Sequence, residues 1–193
     1  MKRPVNLIRT VLPLLLLLFS GWHLGQGMYI EAKAWLAQVL LQQAWSDTLT
    51  GEQQVRPWPW ADTWPVARLR QPRLSVDQIV LAGASGRTLA FGPGHLFGSA
   101  QPGGSGQSVI SGHRDTHFRF LQDLRIGDRI ELTTRQGDVL QYAVYQREVT
   151  HEDDTQVLYR EGRDLTLITC YPFDAIVPGG SQRFVVSAAP VIL

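Results

Sequence analysis

Leu165-Thr166-Leu167-Ile168-Thr169-Cys170-Tyr171-Pro172 is the stretch from which the fold is read. An apolar, β-branched run leads straight into a cysteine and stops at a proline, which has no amide to continue a strand ladder. Such a strand delivers a thiol to the rim of a sheet, held by backbone yet open to a ligand. Short apolar runs recur on both sides of it: Val66–Arg70, Ile79–Leu81, Thr88–Phe91, Ser108–Ser111, Arg129–Thr133, Val139–Val149, Asp164–Thr169 and Arg183–Ala188. Gly83-Ala84-Ser85-Gly86, Arg135-Gln136-Gly137-Asp138 and Pro178-Gly179-Gly180 mark turns between them. About eight short strands with little helix predict a mainly β domain, closed as a barrel or stacked as a sandwich. His117–Leu124 is the one internal helix expected, and the Gly- and Ser-rich stretch Gly98–Gln107 reads as a loop.

The chain of 193 residues has room for one such domain and an N-terminal appendage. Its net charge of +1 and the lack of any block of like charge argue against a nucleic-acid partner, which selects for basic stripes. A single cysteine excludes an intramolecular disulfide. Taken alone, Cys170 would be read as a small buried hydrophobe.

Location is decided at the N-terminus. Lys2, Arg3 and Arg9 precede an apolar run from Val11 through Ile30, long enough to cross a hydrocarbon core of roughly 30 Å. Trp22 and Tyr29 suit an outer aromatic belt, with positive charge on the inner side only. The expected topology is a cytoplasmic tip, one membrane span, and everything after residue 30 on the extracytoplasmic side. A cleaved signal peptide is the rival reading, with Gly25-Gln26-Gly27 as its small-x-small site.

Three regions are therefore expected: a tip and anchor at 1–30, a juxtamembrane helix and connector at 31–65, and the mainly β domain at 66–193. Ala32, Trp35, Leu36, Val39 and Leu40 share one face of a helix over Met28–Leu49 that ends near Gly51. Residues 55–65, with three prolines and three tryptophans, read as a stiff extended connector.

A thiol attacks a peptide carbonyl as its thiolate, and a paired imidazole raises the thiolate population. His113 stands out among the histidines, because Val109-Ile110-Ser111-Gly112-His113 repeats the layout of an apolar strand ending in a reactive side chain. Gly112 gives the backbone room for close approach there. Arg183 opens Arg183-Phe184-Val185-Val186, where strand, loop and strand would return the chain beside Cys170. A guanidinium there can stabilise an oxyanion or grip a peptide.

The remaining polar residues carry weaker signals. Asp115 either orients His113 or anchors its loop, and His117 either supports the site or caps the following helix. His95 reads as a loop residue. His113 and His117 lie four apart but lack a His-Glu-x-x-His arrangement, so no metal is assigned. Glu152, Asp153 and Asp154 read as a solvated turn, without the alternating ligand spacing of a calcium loop.

Ser111-Gly112-His113-Arg114-Asp115, then Thr166-Leu167-Ile168-Thr169-Cys170, then Arg183 before a β-branched strand resemble the signatures of sortases. The resemblance covers residues of about 66–193 in order and with fitting spacing. Cys170-Tyr171-Pro172-Phe173 and the N-terminal anchor look closest to the sortases of Gram-negative bacteria. The resemblance implies an eight-stranded sortase-type β-barrel without a cofactor. It also implies transpeptidation: Cys170 would attack an LPxTG-like sorting signal near the C-terminus of an exported partner protein. His113 would exchange protons with the leaving and incoming amines. Arg183 would hold the oxyanion, with Thr169 and Arg183 contacting the signal. The acyl group would pass to an amine acceptor of the cell envelope. A thiol hydrolase using the same dyad remains an alternative, as does a non-enzymatic periplasmic module with a buried cysteine; the Ser-x-Gly-Cys signature of an L,D-transpeptidase is absent.

Overall fold

A computed structural model describes residues 5–159, 162–177 and 179–191, with side chains from residue 11 onward. The chain divides into two units, residues 1–39 and 40–193. The first is helical throughout its described length, part of α1 (Val5–Leu49). Successive leucines from Leu14 to Leu18 step around the axis, so apolar side chains cover every face of this segment and all of them are exposed. Among the described residues it is the one helix long and apolar enough to cross a membrane. The span and the juxtamembrane helix read from the sequence are one element, since no proline or run of turn residues lies between Met28 and Leu49 to break it. The helix stops where the Thr50 and Gly51 amides turn back to Asp47 and Thr48 carbonyls and Gly51 takes φ +102°.

The second unit is a closed eight-stranded barrel. Its strands are β1 (Pro65–Gln71), β2 (Val76–Ala82), β3 (Gly94–His95), β4 (Ser108–Ser111), β5 (Arg129–Thr134), β6 (Val139–His151), β7 (Leu165–Tyr171) and β8 (Gln182–Pro190). They close in the order β1-β2-β3-β4-β7-β8-β6-β5. Only β2–β3 and β4–β7 among these neighbours are parallel. Alternation sends Ile130 and Leu132 of β5, Leu165 and Leu167 of β7, and Val186 and Ala188 of β8 into one core with Phe118 and Leu121. Each strand has two neighbours, although β3 pairs only Leu81 and Ala82 of β2.

Two expectations change. Thr88–Phe91 is not a strand: Ser85 caps a helical turn, α2 (Gly86–Leu89), by accepting the Thr88 amide at 3.2 Å. The strand in that part of the barrel is the two-residue β3, where a Cβ on Gly94 would lie 2.1 Å from the Gly83 carbonyl oxygen. The internal helix is shorter than expected, a 3-10 turn at Arg119–Asp123.

A second apolar cluster holds the start of this unit to the barrel wall. Leu41 and Trp45 pack with Ile79 and Leu81, and Trp58 and Phe91 lie against them. Of the connector's tryptophans, Trp58 meets Phe91 edge-on at 4.9 Å and Trp64 packs on the main core, whereas Trp60 is exposed. Thr63 adds a hydrogen bond from its hydroxyl to the Ala82 carbonyl at 2.7 Å.

Candidate active site

The site is built on the ends of β4, β7 and β8. β4 and β7 run in parallel with Ser111 beside Ile168, and β7 and β8 run antiparallel with Cys170 beside Arg183. Residues directly opposite in an antiparallel pair leave the same face of the sheet. Cys170 and Arg183 therefore emerge together, both half-buried. One residue beyond β4, the Gly112 amide donates to the Ile168 carbonyl at 3.1 Å, and the Thr169 hydroxyl donates to the Gly112 carbonyl at 2.8 Å. His113, which is exposed, follows two residues after the last paired residue of β4, on the side of the barrel where β7 ends.

Gly112 is required by its neighbour. Phe118 is fully buried over it, and a Cβ at 112 would lie 2.6 Å from the Phe118 ring. The Phe118 amide donates to the His113 carbonyl at 3.0 Å, so the chain folds tightly around the end of β4. Thr169 is buried, and its hydroxyl serves as the tie between β7 and Gly112.

Arg183 is held from two sides. One guanidinium nitrogen donates to the Gly180 and Gln182 carbonyls at 2.6 and 2.9 Å, and the other meets the Glu152 carboxylate at 2.5 Å. The other two acidic residues of that cluster have separate partners: Asp153 lies 3.2 Å from His151, and Asp154 accepts the Thr150 hydroxyl and the Gln156 amide. Around the end of β7, Tyr171, Phe173 and Phe184 of β8 pack as an aromatic cluster with centroids 5.2–6.2 Å apart. A shallow cleft of about 400 Å³ lies beside it, lined by Arg119, Gln122, Tyr171, Pro172, Phe173 and Asp174.

The other histidines stand apart from this pairing in different ways. His95 is fully buried in β3 instead of lying in a loop, with Nε2 at 2.8 Å from the Ala100 carbonyl oxygen and 3.1 Å from the Ser99 hydroxyl. Burial pushes its pKa down. His117 is also held below its usual range, first by burial and then by the nearby His113, against a backbone bond with Ala90. It does not cap the 3-10 turn, whose N-cap position is Phe118. His113 and His117 share no helix, since β4 ends at Ser111 and the turn starts at Arg119.

Sequence reasoning missed two residues around the site. The sequence places Glu152 in a solvated turn, yet its carboxylate pairs with Arg183. Arg114 enters the sequence reading only through the Ser111–Asp115 motif, yet it is buried and paired with its neighbour Asp115. Neither has a sequence signal of its own, because each is defined by a partner brought up by the barrel.

Comparisons with known proteins converge on one family. The sequence profile of the sortase domain matches residues 69–191. Sortase D of Bacillus subtilis (strain 168) is 33% identical over 120 residues, covering 61% of this chain and 60% of that protein. The chain thus spans about 60% of the length of the curated relative it matches. Among solved structures, sortase C-1 from Actinomyces oris superposes with a TM-score of 0.60 at 33% identity, over 67% of this chain and 76% of that one. A sortase D5 transpeptidase from Clostridium perfringens superposes with a TM-score of 0.59 at 26% identity, over 78% and 88% of the two chains.

Proposed function

This chain belongs to the sortase family, and from that premise we propose that it is a membrane-anchored cysteine transpeptidase acting on an LPxTG-like C-terminal sorting signal. The observation that carries the reading is the cross-strand pairing of Cys170 with Arg183 beside the end of β4. The related enzyme from Clostridium perfringens is described as a transpeptidase, which supports the same reaction class here.

The chemistry follows from three side chains. Cys170 Sγ, its proton passed to His113, attacks the carbonyl carbon of the Thr–Gly bond as the thiolate, and the charge that develops on oxygen falls to the Arg183 guanidinium. Collapse breaks the C–N bond, the departing glycine amine takes a proton from His113, and a thioacyl-enzyme remains. An incoming amine then gives its proton to His113 and attacks the thioester, the C–S bond breaks, and Cys170 leaves as the thiolate beside protonated His113. Thr169 meets the signal through its backbone, its hydroxyl being bonded to Gly112. The apolar first unit anchors the protein in the inner membrane, with the barrel on the extracytoplasmic side.

The test is an assay on a peptide carrying the sorting signal, with and without a primary amine. A ligated product that rises with amine supports transfer, and a Cys170→Ala variant should form none. Only free acid in both tubes would sink transfer in favour of hydrolysis. Turnover retained by Cys170→Ala would falsify the assignment of the nucleophile.

A further inference from the structure

Arg114 is 5% exposed, an unusual position for a guanidinium, whose burial is costly unless it is paired and hydrogen-bonded. Its nearest carboxylate does not explain the burial. Asp115 is well exposed, and the pair could form equally well in solvent. The explanation lies in the other bonds. The fork donates to Asp115 at 2.8 and 3.0 Å, and it also donates to the Pro172 carbonyl at 2.6 Å and the Ala175 carbonyl at 2.9 Å. Those carbonyls belong to the turn that directly follows Cys170 and Tyr171.

The sequence neighbours give this clamp its meaning. Arg114 follows His113 without an intervening residue, and Pro172 comes two residues after Cys170. The Thr169 hydroxyl ties β7 to Gly112 on one side of His113. Arg114 ties the far side of His113 to the turn beyond Cys170. Between them the two ties leave the segment carrying His113 little freedom to slide along the segment carrying Cys170. Arg114 is also within electrostatic reach of the thiol: its pKa stands above the ordinary value, chiefly through the Asp115 bond, with Cys170 and Asp174 contributing less.

We propose that Arg114 is a positioning residue for acyl transfer, clamping the Pro172–Ala175 turn so that His113 and Cys170 keep one separation through both halves of the reaction. The inference rests on the reading of Cys170 and His113 as the reacting pair. It requires the planar fork, because donors must point at one carboxylate and two carbonyls at once. A lysine ammonium keeps the charge but cannot span that set.

The experiment measures kcat and KM for transfer to an amine by the full-length chain in detergent, with a thermal melt for each variant. In Arg114→Lys, kcat should fall by about 100-fold, the scale of a misplaced reacting group, while KM stays within about threefold. Asp115→Ala removes an exposed residue and frees one edge of the fork, and its kcat should fall by about tenfold. A purely structural arginine predicts a lower melting temperature with kcat of the folded enzyme unchanged. Parent-like kcat in either folded variant overturns the inference. A parent protein that transfers nothing overturns the proposed function instead, so the two failures are distinguishable.

Discussion

Cys170 and Arg183 are direct partners across the antiparallel β7–β8 ladder, with Cβ atoms about 5 Å apart in such pairs. The contact needs no flexible loop to form it, because the register of two strands sets it. Arg183 is in turn braced by the Gly180 carbonyl and the Glu152 carboxylate. Arg183→Ala should therefore cost about 10²–10³ in kcat/KM for transfer, the scale of losing an oxyanion donor. Arg183→Lys should recover little, since the forked bonding to Glu152 and Gly180 is lost. Steady-state kinetics on the sorting peptide decide this, and a Lys variant at the parent rate would argue that only charge matters.

Gly112→Ala tests the other arm of the site. The added methyl would have to displace the fully buried Phe118, which is core and cannot swing aside cheaply. Overpacking of this kind costs about 1–3 kcal/mol. The expected result is a melting temperature lower by several degrees, at about 2–4 °C per kcal/mol for a chain of this size. Transfer should fall further than stability, because the displaced segment carries His113. A variant as stable as the parent would show that Phe118 yields to the added methyl without cost.

What could be read in advance follows from where each signal is stored. Strand alternation and turn residues are local, so seven of the eight strands and the lone thiol at the end of β7 are legible in the sequence. The third strand is two residues long and has no period to detect, whereas the apolar run Thr88–Phe91 was claimed by the Ser85 cap. The pairing of Cys170 with Arg183 was foreseeable from strand–loop–strand spacing. The bonds of Arg114 were not, because its partners are backbone carbonyls 58 and 61 positions later that any residue type could present. Burial of His95 was hidden for a similar reason: its partners, Ser99 and Ala100, look like loop.

Acid should destabilise the fold first through two buried histidines. His95 and His117 both sit below the usual imidazole range, in each case chiefly through burial. The folded state keeps them neutral, while the unfolded chain takes up their protons below about pH 6.5. Stability is thus independent of these groups above that pH and falls as pH drops through the window beneath it. Asp77, Asp115 and Asp128, held down by their arginine partners, add their loss only at still lower pH. Urea midpoints should decline between pH 7.5 and 5.5, and His95→Gln should flatten that decline. Parallel curves for parent and variant would exclude His95 as a source.

Trp45 and Leu41 test whether the cluster outside the main core carries stability of its own. Both are at most 2% exposed and pack with Ile79 and Leu81 of β2. Truncating a buried tryptophan to alanine costs about 3–5 kcal/mol, and leucine to alanine about 2–5. At about 2–4 °C per kcal/mol, Trp45→Ala should lower the melting temperature by about 10 °C. Among the described residues, the bonds of Thr169 and Arg183 at the site run to Gly112, Gly180, Gln182 and Glu152, all outside this cluster. Transfer by the folded variant at low temperature should therefore match the parent. A large fall in kcat together with an unchanged melt would reverse the assignment, making Trp45 part of the reaction's support rather than of the fold's.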